Sequence, residues 1–124
     1  TSYFFKRDSR SELYRPYVHQ EFLFLSFMSF AELMYWAESA NWGPKRRNEL
    51  SEYLRRFSIV HSNQKICEIW SSVVAEGRQN GRIIAGSDAW VASAAMFLRI
   101  PLVTHNASDF EGVSGLDIIS VSKL

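Results

Sequence analysis

Residues Glu21 to Phe27 read Glu-Phe-Leu-Phe-Leu-Ser-Phe, and Ser29-Phe-Ala-Glu32 follows almost at once. The first stretch is a short, nearly continuous apolar run of strand length. A strand with one wet face alternates apolar and polar residues; a continuous run suits a strand buried on both faces, as in a parallel sheet covered by helices. Ser29-x-x-Glu32 has the form of a capping box, so a helix is expected from there to about Ser39. Asn41-Trp-Gly-Pro44 then breaks it. A buried strand feeding straight into a helix is the repeating unit of an α/β sheet.

Downstream the same unit recurs. Pro44 to Phe57 reads as a helix with Leu50, Tyr53, Leu54 and Phe57 on one stripe. Ser58 to His61 is a short strand, and Asn63 caps a helix carrying Ile66, Ile69, Trp70, Val73 and Val74 that ends near Asn80-Gly81. Ser87 opens the next helix, Ser-Asp-Ala-Trp-Val-Ala-Ser-Ala-Ala-Met-Phe-Leu, which is apolar nearly all round and therefore expected to be buried. Ile100-Pro101 turns the chain, Leu102 to Thr104 is a strand, and Leu116 to Ile119 is a last strand. Upstream, Thr1 to His19 reads as amphipathic helix in two pieces: an apolar start at Tyr3, Phe4 and Phe5, then a capping box Ser9-Arg-Ser-Glu12 before Pro16. The expected architecture is a mainly parallel sheet flanked by helices on both faces.

The bulk properties agree with one domain spanning 1–124. The chain of 124 residues is 47% apolar, enough to build a core. Its 14 basic and 13 acidic residues leave a net charge of +1, which excludes a strong overall basic field. The single Cys67 cannot form an internal disulfide and reads as a small buried hydrophobe on a helix; this fits a reducing, cytoplasmic setting. No run approaches the roughly 18 apolar residues that a membrane helix needs.

The acidic residues fall in a pattern. Glu32 lies just after the strand that ends at Phe27, Asp88 lies in the first turn of the buried helix, and Asn106 and Asp109 lie just after the strand ending at Thr104. Strand C-termini and helix N-termini share one edge of an open α/β sheet, and ligands bind there. Three carboxylates from distant parts of the chain would converge on that edge, where a hard cation takes oxygen ligands and retained waters. Each has another reading. Glu32 closes a capping box, Asp88 gains from the helix dipole, and Asn106-x-x-Asp109 has the form of an Asx turn with a cap.

Other signals are weaker. His19, His61 and His105 have no metal-ligand spacing, although His105 lies near the same edge. There is no P-loop, Gly-x-Gly-x-x-Gly or Gly-x-Ser-x-Gly motif. Trp36, Trp42, Trp70 and Trp90 read as core or interface residues rather than stacking platforms. Lys45, Arg46, Arg47, Arg55 and Arg56 could steer RNA phosphates, with Arg46 and Arg47 the candidates, but Glu49 and Glu52 interleave with them as on a solvated helix face.

The block Ser87-Asp88-Ala-Trp-Val-Ala-Ser-Ala-Ala, followed by Ile100-Pro-Leu-Val-Thr-His-Asn106-Ala-Ser-Asp109-Phe110 and Val113-Ser-Gly-Leu116, resembles the C-terminal half of a PIN domain. It is most similar to the VapC-type toxins of bacterial toxin–antitoxin modules. Phe30-Ala-Glu32-Leu33 resembles the family's central Glu motif, and Ser2-Tyr-Phe-Phe-Lys-Arg-Asp8 resembles the segment just after its first strand, so the likeness spans essentially the whole chain. The resemblance implies a Mg²⁺- or Mn²⁺-dependent endoribonuclease with a two-metal mechanism, silenced by a cognate antitoxin protein and usually a homodimer. It implies Glu32, Asp88 and Asp109 as catalytic and metal-site acids, Asn106 sharing the corner of Asp109, and Thr104 as a hydrogen-bonding brace.

The departure lies at the start. The family's first strand ends in Asp-Thr, and that Asp is a principal metal ligand; here the chain opens at Thr1-Ser2. The expectation is a domain without that strand and ligand, with Asp8 facing solvent and a partner chain covering the edge left open. A non-catalytic or inactive PIN-fold module that binds an antitoxin or another protein is the alternative. A third reading is a small α/β domain whose acids are only helix caps.

Overall fold

The apolar run at Glu21 is a strand, and it lies beside the centre of the sheet. The computed structural model describes residues 3–7 and 21–121. Its strands are β1 (Tyr3–Arg7), β2 (Glu21–Ser26), β3 (Phe57–Val60), β4 (Leu102–Thr104) and β5 (Ile118–Ser120), in the spatial order β3-β2-β1-β4-β5. β2 pairs parallel with β3, β4 pairs parallel with β5, and β1 runs antiparallel to both β2 and β4. Four strands therefore point one way, and the central one points the other.

The helices are α1 (Phe27–Ser39), α2 (Pro44–Leu54), α3 (Gln64–Gln79) and α4 (Gly86–Leu98). The step from β2 to β3 moves outward in the sheet, and the step from β3 to β4 moves back across it. With right-handed crossovers, connections in opposite directions lay their helices on opposite faces. The core is centred on α4, where Val91, Ala92, Ala94 and Ala95 pack with Ile100, Leu102 and Phe110. Ala89, Ala92 and Ala95 are fully buried, which lets the α4 backbone come close to its neighbours. None of these helices is long and apolar enough to cross a membrane.

The main correction concerns the start of the chain. Tyr3–Arg7 is a strand, not a helix, and it sits between β2 and β4, with Phe4 opposite Phe24 and Tyr3 opposite Val103. Tyr-Phe-Phe is strongly β-prone, and periodicity cannot tell a short apolar run in a strand from one in a helix. The slot between β2 and β4 offers two rows of backbone donors and acceptors, and pairing satisfies both. The inner edges of β2 and β4 are therefore paired within the chain, and no partner chain is needed to cover them. The expected cap at Ser9 to Glu12, the bend at Pro16 and the exposed Asp8 lie outside the described residues.

Smaller shifts follow from local chemistry. The helix expected to reach Phe57 ends at Leu54, so β3 starts at Phe57, and the last strand is displaced to Ile118–Ser120. Cys67 is exposed on α3 instead of buried; the buried stripe of that helix runs through Ile66, Val73 and Gly77. Gly77 is required by a close approach. The Arg82 N–H donates to its carbonyl at 2.8 Å, and a Cβ there would lie 2.5 Å from the Arg82 carbonyl oxygen. The cap expected at Asn63 is present: its Oδ1 accepts from the Ile66 N–H at 2.8 Å. Asn63→Ala is expected to cost about 1 kcal/mol. In urea titration the midpoint should fall while the slope stays unchanged.

Candidate active site

The site grows from the starts of α1 and α4 and from the turn after β4. α1 does not start with the Ser29 box. Ser26, buried at the end of β2, is the cap, and its Oγ accepts from the Met28 N–H at 3.2 Å. The helix therefore begins earlier, and Glu32 stands in its second turn, beyond the reach of a cap. The capping explanation for this carboxylate is thereby removed.

Ser29, Glu32, Leu33 and Trp36 follow the spacing of one helix face. They line a cavity of about 240 Å³ together with Asp88, Val91 and Asn106. Asp88 comes from the first turn of α4. That end of α4 has no side-chain cap; it is held by Trp70, whose indole N–H donates to the Gly86 carbonyl at 3.3 Å. Trp70 stacks on Trp90 at 5.0 Å, and Trp90 meets Phe27 edge-on at 5.7 Å. One aromatic row thus ties the starts of α1 and α4 together.

Beyond β4, the Asn106 N–H donates to Oγ1 of the buried Thr104 at 3.1 Å. The Asn106 side chain does not cap the 3₁₀ turn Ala107–Phe110; the Asx reading thus falls, and its amide is left facing the cavity. Asp109 stands on that turn, its N–H donating to the Asn106 carbonyl at 3.0 Å. It lines a neighbouring hollow of about 430 Å³ with Asp88, Arg82, Ser108 and Glu111. Asp88 is therefore common to both spaces, with Glu32 and Asn106 on one side and Asp109 on the other. His105 is occupied at the sheet edge, its Nδ1 lying 3.1 Å from the Val121 carbonyl oxygen.

Burial, and then the charge of Asp109, push the Asp88 carboxyl above its usual range. Among the described residues, no basic group forms an ion pair with Glu32, Asp88 or Asp109. Also among the described residues, no three His, Cys, Asp or Glu side chains form a closed metal-binding group. Asp88, Asp109 and the Asn106 amide are the oxygen donors that a divalent cation would meet here. Mg²⁺ demands only one or two carboxylates, keeps several waters and takes further oxygens from a substrate phosphate. A half-buried carboxylate repelled by a second one, with an amide oxygen at hand, matches that donor set.

The basic cluster is largely occupied elsewhere. Arg47 donates from Nε to the Trp42 carbonyl at 2.8 Å, and from its terminal nitrogens to Glu38 at 2.9 Å and the Ala37 carbonyl at 3.3 Å. It clamps the end of α1 to the start of α2. The Arg46 guanidinium lies 4.0 Å from the Trp42 ring centroid, and Arg55 pairs with Glu52 at 3.1 Å. Arg47→Ala is expected to lower stability by about 1–3 kcal/mol, since it removes the donor to the Trp42 carbonyl and the link to Glu38, and Lys should restore little of it. Urea unfolding of the three proteins checks this; an unchanged midpoint for Arg47→Ala would show that the clamp is idle.

Sequence reasoning gave Trp36 to the core or an interface and Ser29 to a helix cap, and it passed over Arg82. The first two carried a usable signal, their one-turn and two-turn spacing around Glu32. Arg82 carried none, because it enters the hollow through the turn after α3.

Known proteins resemble this chain in sequence and fold. Ribonuclease VapC1 of Haemophilus influenzae (strain R2866) is 27% identical over 94 residues, covering 76% of this chain and 70% of that protein. Ribonuclease VapC2 of Rickettsia felis is 27% identical over 92 residues, covering 74% and 69%. Among solved structures, VapBC-1 from nontypeable Haemophilus influenzae superposes with a TM-score of 0.75 at 24% identity, over 89% of this chain and 82% of that one. VapBC2 from Rickettsia felis, bound to a DNA fragment from the promoter, gives 0.75 at 25% identity, over 80% and 74%. The helix-strand-turn block that carries Asp88, Asn106 and Asp109 lies inside the stretch, residues 1–116, that matches the PIN domain family. With this match running through residues 1–116, the chain belongs to the PIN domain family.

Proposed function

We propose that this protein is a Mg²⁺- or Mn²⁺-dependent endoribonuclease, the toxin of a toxin–antitoxin pair, silenced by a cognate antitoxin protein and acting as a homodimer in the cytoplasm. The observation that carries the reading is Asp88: a half-buried carboxylate shared by two acidic hollows, with no basic partner among the described residues. Bound ions would activate a water and neutralise charge on the leaving oxygen of a phosphodiester. Asp88 would hold the cation, with Asp109 and the Asn106 side-chain amide oxygen as further donors from the two hollows. Glu32, across the cavity, would take the proton of the attacking water. Thr104 would keep Asn106 in place through its hydrogen bond. The curated ribonuclease relatives and the VapBC complexes support the reading.

One observation favours a second reading, a non-catalytic PIN-fold module that binds an antitoxin or another protein. β1 reads Tyr-Phe-Phe-Lys-Arg, so the central strand brings no carboxylate to the site, and the described acids form no closed group of three. Calorimetric titration of Mn²⁺ and Mg²⁺, paired with an RNA cleavage assay and an EDTA control, separates the two. Asp88-dependent metal binding together with EDTA-sensitive cleavage is the expected result. A chain that binds neither ion and leaves RNA intact would overturn the nuclease reading and leave the binding module.

A further inference from the structure

Trp36 is 54% exposed, although a tryptophan is among the costliest side chains to leave in water, and it stands at the wall of the cavity that contains Glu32, Asp88 and Asn106. Its ring lies 5.5 Å from that of Trp42, tilted by 51°. The Arg46 guanidinium covers the Trp42 ring at 4.0 Å. An aromatic surface thus runs from the acidic cavity to a cation. The α1 spacing explains the placement: Trp36 is one turn beyond Glu32, on the same face, so its ring flanks the position at which Glu32 would act. In the same cavity the Asn106 side-chain amide has no hydrogen-bond partner among the described residues.

We propose that Trp36 is a stacking platform for a nucleobase of single-stranded RNA, holding the nucleotide next to the scissile phosphate against the acidic cavity. This rests on the nuclease reading for the identity of the strand, and it adds a residue that selects the substrate. Every base has a π-face, so stacking holds a strand with little regard to sequence. A duplex keeps its bases stacked on one another and would not present one to the ring. An adjacent amide offering both a donor and an acceptor can read a base edge. Arg46, placed over Trp42, puts positive charge where the continuing phosphate backbone would pass. The acids of the cavity repel a bare phosphate strand, so in the absence of metal the stacked base supplies the main hold.

The test is binding of short single-stranded RNA by fluorescence anisotropy in EDTA, with an abasic oligonucleotide of the same length as control, for wild type, Trp36→Ala and Trp36→Phe. The expected result is that Trp36→Ala weakens binding about 5- to 150-fold, the range for loss of one stacked base. Trp36→Phe should keep most of the affinity, and the abasic strand should bind the wild type and Trp36→Ala alike. Equal affinity of wild type and Trp36→Ala for intact RNA overturns the proposal, as does an equal loss on the abasic strand or no RNA binding by the wild type. A cleavage assay with Mn²⁺ separates the two claims. Base-dependent binding without cleavage leaves the platform standing and removes the nuclease. Cleavage unaffected by Trp36→Ala removes the platform and leaves the nuclease.

Discussion

Replacing Asp88 by Asn is expected to lower metal-dependent RNA cleavage by about 10²-fold or more while making the fold more stable at neutral pH. The first effect follows from loss of the only carboxylate among the described residues that borders both hollows; removing one preorganised electrostatic group from a site typically costs about 10²- to 10³-fold. The second follows from linkage. Burial and the nearby Asp109 raise the Asp88 pKa in the folded state, so the native protein binds this proton more tightly than the unfolded chain does. The contribution of Asp88 to stability is therefore fully present below its unfolded pKa and is lost as pH rises through the raised folded value. At neutral pH the ionised group works against the fold, and an isosteric amide removes that penalty. The melting temperature of Asp88→Asn should exceed that of wild type at pH 7, and the gap should close as pH falls through the carboxylate range. At limiting Mn²⁺ the wild type should lose activity, on acidification, at a higher pH than an ordinary aspartate would impose; saturating Mn²⁺ should shift that limb to lower pH. Scanning calorimetry at several pH values and a pH–rate profile read these effects. A variant that cuts as fast as wild type, or melts lower at pH 7, would show that Asp88 is a structural acid.

The second large effect is expected at Phe110. Its side chain is 2% exposed and packs among Val91, Ala92, Ala95 and Leu102. It is also the last residue of the turn that carries Asp109. Phe110→Ala is expected to cost about 3–5 kcal/mol, the sum of lost burial and the cavity left behind. That is a large share of the roughly 5–15 kcal/mol that holds a domain of this size together. The turn loses its anchor at the same time, so Asp109 should drift from Asp88 and metal affinity should fall even where the variant remains folded. Phe110→Leu, which keeps much of the volume, should recover most of the stability. Urea unfolding gives the first quantity and calorimetric metal titration the second. A loss under 1 kcal/mol for Phe110→Ala would mean that this core relaxes around the gap.

Residues differ in how much of their role could be read locally. The cap at Asn63 and the buried face of α4 were legible, because each depends on neighbours within a turn or two. The buried strand at Glu21 was legible for the same reason. Ser26 and Ser29 show the limit of that logic: both are serines near the start of one helix, and the strand register, with Ser26 opposite Val60, decides which one caps it. Cys67 was misassigned to the interior, since hydrophobicity says what a side chain prefers and not what is left to cover it; of the two places open to Trp36, core or interface, its exposure removes the core. Arg46 and Arg47 were read either as steering groups for phosphates or as a solvated helix face, and the backbone carbonyls and ring that they contact are partners no charge pattern announces.

The acids of the opening strand-helix reading end in the same balance. The sequence by itself determined the alternation of strands and helices, the burial of α4 and the placing of Glu32, Asp88, Asn106 and Asp109 after strand ends, because hydrophobic period and turn chemistry act over a few residues. Only the tertiary structure decided that Tyr3–Arg7 fills the centre of the sheet against the direction of its neighbours. It alone divided the acids between two hollows that share Asp88, and set Trp36 at the wall of one of them. Those outcomes depend on backbone pairing and packing between segments far apart in the chain, and no local pattern encodes which distant surface a residue will meet.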